Sequence, residues 1–268
     1  MKRAPAAAKI NLALVVGPPR ADARHELVTV YQRVALCDRL SVDRAPTIRV
    51  DGFEQDTLVR RALETVADGT GLRAEITKRI PVAAGLGGGS SDAATALRLG
   101  NALRDEPLPD SELHDVAREL GADIPYFLVD GPQLGTGDGT ELSPLDLPQD
   151  YWIVLVLPKG AAKPSTGDVF AAFDARGGEG GYDERRAALL AALERVRRPR
   201  DLASLPQNDL ASSPIADELL ALGAFRADVT GAGPTVYGLF LHGEQARVAQ
   251  RSISPKGRTW LTAPAWYR

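Results

Sequence analysis

Two rhythms of apolar positions share the first half of the chain. Residues 10–16 and 28–36 are dense in apolar and β-branched side chains, and Val28, Val30, Val34 and Leu36 fall at even spacing. That pattern predicts two strands that pair as neighbours. Leu58, Val59, Ala62, Leu63 and Val66 recur at helical steps, which predicts a helix capped by Asp56 and ended before Gly69. Leu72, Ala74 and Ile76 alternate again as a strand, and helices are expected over 92–103 and 111–120, the second stopped by Gly121. The continuous apolar run 152–157 reads as a buried strand, preceded by a Pro- and Asp-rich linker over 143–150. Further on come a helix over 166–173, a flexible glycine run at 177–181 and a charged helix over 183–198 with a solvated outer face. Pro214 suits the first turn of another helix after Ser213, and 236–241 reads as a strand. Strands and helices mix without a regular βαβ period, which indicates an α+β protein of two domains, 1–148 and 149–268, sharing a cleft.

Composition narrows the classes. The 268 residues are 44% hydrophobic and 25% charged, ordinary for a folded protein. A net charge of −3 gives no electrostatic reason to expect nucleic acid or an anionic membrane as partner, so a small molecule is the expected one. The lone Cys37 excludes an internal disulfide, and three histidines provide no Cys/His metal spacing, which fits a reducing cytoplasm. The basic, apolar N-terminus is not expected to be a signal peptide, because Lys9 and Asn11 interrupt it and Gly17-Pro18-Pro19 stops it. No stretch approaches the length of a membrane-spanning helix.

The chemistry-bearing stretch is Pro81-Val82-Ala83-Ala84-Gly85-Leu86-Gly87-Gly88-Gly89-Ser90-Ser91, running into an alanine-rich helix. Bare backbone approaches an anion closely, and the start of a helix turns its positive end and unpaired N–H groups the same way. A plain surface turn needs no such order. The loop lacks the lysine of a Walker A motif and carries Ser90 where the dinucleotide fingerprint needs glycine. A second glycine run, 230–235, alone reads as a tight turn, but together with the first suggests two backbone walls around a polyphosphate. Lys9 and Asn11 share one strand face. Singly, Lys9 reads as an edge lysine and Asp123, in Gly121-Ala122-Asp123-Ile124-Pro125 before an apolar strand, as a turn former.

Taken together, the segments PAAAKINLAL, PVAAGLGGGSSDAA, LGADIPYF and TGAGPT resemble, in order and separation, the motifs of the GHMP kinases, over residues 8–240 and most strongly before 152. Within that superfamily the chain is most similar to the branch that phosphorylates a methylerythritol hydroxyl on a cytidine diphosphate carrier, on the non-mevalonate route to isoprenoid precursors. The resemblance implies the GHMP kinase fold, with an N-terminal domain like domain 2 of ribosomal protein S5, a ferredoxin-like C-terminal domain and the active site between them. It implies ATP as co-substrate with Mg²⁺, and a monomer or homodimer. Asp123 would be the general base and Lys9 its neighbour, favouring the ionised carboxylate and hydroxyl. Residues 81–91 would hold the ATP phosphates, and Thr57, Leu58 and Lys78 would lie near the adenosine. No Mg²⁺ ligand is assigned; Ser90 and Ser91 are the candidates. Asn11, Arg24, His25, Thr166, Phe170, Gly231 and Gly233 would contact the second substrate. Two departures stand out. Ala23-Arg24 replaces the branch's Gly-Tyr, so Arg24 is expected either to stack on the base opposite Phe170 or to be a solvated surface residue, and Thr57 replaces an asparagine. Those departures keep open a regulator that has lost the chemistry, and homoserine or mevalonate kinases remain the enzymatic alternatives.

Overall fold

The computed structural model describes residues 1–53, 57–69, 71–161 and 165–265. A long antiparallel hairpin founds the first half: β1 (Lys2–Pro19) pairs with β2 (His25–Ala45), with register shifts at Ala7/Ala8, Asn11/Ala13 and Val16/Pro19. Both strands run well beyond 10–16 and 28–36, because the ladder continues from Lys2–Ala7 against Val42–Cys37, and β4 pairs the far end of β2 as well. β3 (Arg49–Asp51) and β4 (Gly71–Thr77) extend one flank of β2, and β5 (Gln133–Thr136) and β6 (Glu141–Pro144) the other. The expected linker over 143–150 therefore begins inside a strand: Ser143 and Pro144 pair with Leu134 and Gln133, Pro144 being tolerated on an edge strand.

Helices α1 (Thr57–Val66), α2 (Gly88–Asn101) and α3 (Asp110–Leu120) cover this sheet and share its apolar cluster through Leu63, Leu97 and Leu113. Asp56, the expected cap of α1, lies outside the described residues. The segment after Asp123 is a 3₁₀ turn, Pro125–Leu128, rather than a strand. Pro125 occupies its first turn, where the missing N–H costs nothing, and Tyr126 and Phe127 pack into the same cluster.

The second half holds a four-stranded antiparallel sheet in the order β10 (Gly257–Thr262), β7 (Trp152–Pro158), β9 (Val236–Phe240), β8 (Arg226–Val229), with α6 (Pro214–Ala221) and α7 (Gly243–Ile253) on one face. Ser213 caps α6 by accepting from Ile215 N, with Pro214 in the first turn. α4 (Thr166–Ala175) opens with a capping box between Ser165 and Asp168. α5 (Tyr182–Leu193) is shorter than expected, because Val196 and Leu202 are buried and draw the chain into a 3₁₀ turn at Pro199–Ser204. Nor is its charged face merely solvated: Arg185 donates to Val16 O at 3.0 Å and to Asp209 at 3.1 Å. Among the described residues no helix is long and apolar enough to cross a membrane.

Candidate functional site

A cleft of about 840 Å³ runs between the halves, and the two glycine loops meet on its floor. Lys9 N donates to Leu86 O at 2.9 Å and Thr235 N to Ala84 O at 3.3 Å, so β1, the first loop and the second loop are laced backbone to backbone. Gly87 adopts φ +68°, and a β-carbon there would lie 2.9 Å from Phe127 Cζ and 3.0 Å from Lys9 Cγ. Only glycine fits. α2 opens at Gly88, earlier than expected, so Gly88, Gly89 and Ser90 form its first turn, line the cleft, and receive no side-chain cap. Those bare N–H groups at a positive helix end suit phosphate oxygens.

Behind the loop, Lys78 joins Asp38 at 2.5 Å and Asp92 at 2.6 Å. Asp38, fully buried, also accepts from the backbone N–H groups of Arg79 and Ile80, tying the base of the loop to β2. Burial alone would lower the Lys78 ammonium, but Asp92 and Asp38 outweigh it and hold it above the usual lysine range. Sequence reasoning missed both partners, since nothing local pairs Lys78 with an acid in a strand 40 residues before it or with one in a helix 14 residues after it.

The acid and base pair lie on the cleft wall. Asp123 Oδ2 stands 3.7 Å from Lys9 Nζ, and Asp123 Oδ1 accepts from the Tyr31 hydroxyl at 3.3 Å. Burial, reinforced by the Asp123 charge, pushes the Tyr31 phenol well above its usual range, so it keeps its proton as a donor. Lys9 is buried and donates to Asn11 Oδ1 at 2.7 Å, as the shared strand face predicted. Asn11, which also lines the cleft, in turn donates to Thr29 Oγ1 at 2.8 Å, which fixes the amide that holds the lysine. Asp123 keeps a side chain 36% exposed to the cleft, which leaves it reachable by a substrate hydroxyl. Tyr31, opposite Asn11 in the β1–β2 register, was legible only once the pairing was known.

At the far end, His25 stacks on Phe170 with ring centroids 4.7 Å apart and its Nε2 lies 2.8 Å from Asp174 Oδ1. Arg24 is not stacked there; its guanidinium is bound by Asp138, which accepts from Thr140 as well. Ala23 beside it takes φ +62°. Thr166, Phe170, Gly231 and Gly233 line the cleft, as do Pro81, Val82, Ala83, Ala84 and Gly85. Of the expected adenosine contacts Leu58 and Lys78 line it, joined by Phe53, whereas Thr57 is an exposed residue outside the lining. Of the two serines Ser90 lines the cleft; Ser91 is buried and its N–H closes on Gly87 O. Among the described residues no three His, Cys, Asp or Glu side chains gather to hold a metal ion.

A glycine loop running into an uncapped helix start, with a Lys9–Asp123 pair beside it in the cleft of an α+β protein, fits a small-molecule kinase of the GHMP type. The model of the GHMP kinases N terminal domain matches residues 57–131, and that of the GHMP kinases C terminal domain residues 200–258. A 4-diphosphocytidyl-2-C-methyl-D-erythritol kinase of Moorella thermoacetica is 38% identical over 265 residues, covering 91% of each chain. The crystal structure of a 4-(cytidine 5'-diphospho)-2C-methyl-D-erythritol kinase superposes with a TM-score of 0.79 at 31% identity, over 98% of this chain and 99% of that one. A mevalonate kinase structure, at 13% identity and a TM-score of 0.76 over 98% of this chain and 99% of that one, shares the fold alone. The chain belongs to the 4-diphosphocytidyl-2-C-methyl-D-erythritol kinase family.

Proposed function

We infer that the protein transfers the γ-phosphoryl group of ATP to the 2-hydroxyl of 4-diphosphocytidyl-2-C-methyl-D-erythritol, giving the 2-phosphate and ADP. The reaction is a step of the non-mevalonate route to isoprenoid precursors. The observation that carries the reading is the convergence of Lys9 and Tyr31 on the two oxygens of Asp123, at a cleft floored by both glycine loops.

Asp123 takes the proton of the attacking hydroxyl, and Lys9 offsets the negative charge that develops beside it. The first turn of α2 and the loop from Pro81 to Ser90 orient the ATP phosphates, while Phe53, Leu58 and Lys78 border the adenosine. Mg²⁺ bound with the nucleotide would neutralise phosphate charge, and Ser90, which lines the cleft, is the residue that would help hold it. His25, Phe170 and Arg24 form the end of the cleft that takes the cytidine, with Thr166 and Gly231 along its wall. The division of the chain at 148/149 leaves the ATP loop and Asp123 on one side and the second glycine loop on the other. A single chain builds the whole cleft, which suits a monomer or a homodimer. Soluble substrates and one free cysteine suit the cytoplasm.

One assay tests this reading. With ATP, Mg²⁺ and the cytidyl substrate, the protein should release ADP and the 2-phosphate, and Asp123→Asn should lose roughly 10²- to 10⁴-fold in kcat while folding normally. Turnover of homoserine or mevalonate instead would overturn the substrate. Nucleotide binding without any turnover would leave a regulator.

A further inference from the structure

Outside the cleft lining, a chain of buried hydrogen bonds ends on the Lys9–Asn11 pair. We propose that Asn208 is a positioning residue for phosphoryl transfer, which holds the second glycine loop against Asn11 and so sets the place of the Lys9 ammonium.

Asn208 is buried behind the loop, and both hydrogens of its side-chain amide are used on it: Nδ2 donates to Gly231 O at 2.7 Å and to Val229 O at 2.9 Å. Its Oδ1 accepts from Leu210 N at 2.8 Å, and its own N–H donates to Asp228 Oδ2 at 2.9 Å. Asp228 is anchored in turn by buried Arg226, whose guanidinium also donates to the carbonyls of Leu202, Leu205 and Pro206. Each polar group in this chain is satisfied away from water, which makes it stiff.

The two carbonyls that Asn208 grips flank Thr230. Thr230 Oγ1 accepts from Asn11 N at 3.0 Å and lies 3.3 Å from Asn11 Oδ1, the atom that accepts from Lys9 Nζ at 2.7 Å. A β-carbon on Gly231 would lie 3.4 Å from Asn11 Oδ1 and 3.5 Å from Lys9 Nζ, ordinary contact distance, so the loop backbone runs directly beside the pair. Releasing Val229 and Gly231 frees Thr230, then Asn11, then the lysine beside Asp123. In phosphoryl transfer a shift of about 1 Å at a charged group removes a large part of the rate, while the nucleotide, held by the other loop, still binds.

The inference rests on the reaction proposed above, so two readouts are used. In steady-state kinetics Asn208→Ala should lower kcat roughly 10- to 100-fold with KM for ATP within about twofold. Thr230→Val should do likewise, and the double variant should be no slower than the slower single one, because both act through Asn11. In NMR of protein labelled at the lysine ε-carbon, the Lys9 signal should move in both single variants. Wild-type kcat in Asn208→Ala, multiplied losses in the double variant, or an unmoved Lys9 signal would each overturn the proposal. A wild-type protein that does not turn over the substrate removes the reaction instead, and the NMR signal still decides Asn208. If Asn208→Ala does not fold, Asn208→Ser with the same cycle takes its place.

Discussion

Arg24 and Lys78 are two cations on the cleft whose neighbours determine what each does. The Arg24 guanidinium is held by Asp138; burial pushes that carboxyl up, but Thr140 and Arg24 outweigh it and keep it below its usual range, hence charged. A guanidinium fixed in this way presents a planar, always charged face at the end of the cleft proposed above for the cytidine. Arg24→Ala should therefore raise KM for the cytidyl substrate by roughly tenfold and leave kcat nearly unchanged; an unaltered KM in steady-state assays would remove Arg24 from recognition. Lys78 works inward instead. Its ammonium is held above the usual value of 10.5, so the stability it contributes is complete below that pH and is lost as pH rises through the raised value. The unfolding temperature of the wild type should fall on that alkaline limb. Lys78→Met, which leaves Asp38 and Asp92 buried without their cation, should already be destabilised at neutral pH, by about 3–5 kcal/mol, and show no such limb.

At the scale of elements, the glycine loop ending at Gly87 and α2 act as one unit. Gly87 turns the chain at φ +68° between Phe127 and the Lys9 side chain, and only then does the helix begin. Gly87→Ala meets two costs, roughly 1–2 kcal/mol for a left-handed alanine and a clash that displaces the loop from Lys9. Isothermal titration should show ATP affinity falling at least tenfold, with a lowered unfolding temperature. The glycine loop running into a helix was readable from text because glycine content and a following helix pattern are local. The opening of α2 at Gly88 was not, since three small residues carry no helical periodicity and the loop contacts on Gly87 decide where the first turn closes. The same limit explains the turn at 125–128: an apolar PYFL reads as a strand until the packing of Tyr126 against Tyr31 is known.

At the scale of the molecule, the two halves share a core. Ile10, Leu12 and Val15 of β1 pack in one cluster with Ile153 and Leu155 of β7 and Tyr237 and Leu239 of β9, and Arg185 bridges from α5 to the β1 backbone. A cleft bordered by elements so joined should unfold as a unit. Scanning calorimetry is expected to show one cooperative transition, and Leu155→Ala, emptying a fully buried site in the shared cluster, should shift the whole of it by about 2–5 kcal/mol. Two resolved transitions, or a shift confined to one, would contradict the shared core.

The sequence by itself determined the α+β class, the glycine loop before a helix, the Lys9–Asn11 face and the motif order that marks a GHMP kinase. Each of these is either local in the chain or a pattern of spacing. Tertiary structure decided what surrounds them: Tyr31 on Asp123, Asp38 and Asp92 on Lys78, Asp138 on Arg24, and Asn208 behind Gly231. These partners sit between 14 and 114 residues apart. Charge and hydrogen bonding act through space, and along the chain nothing in residue type or spacing records which distant side chain a fold will bring into contact.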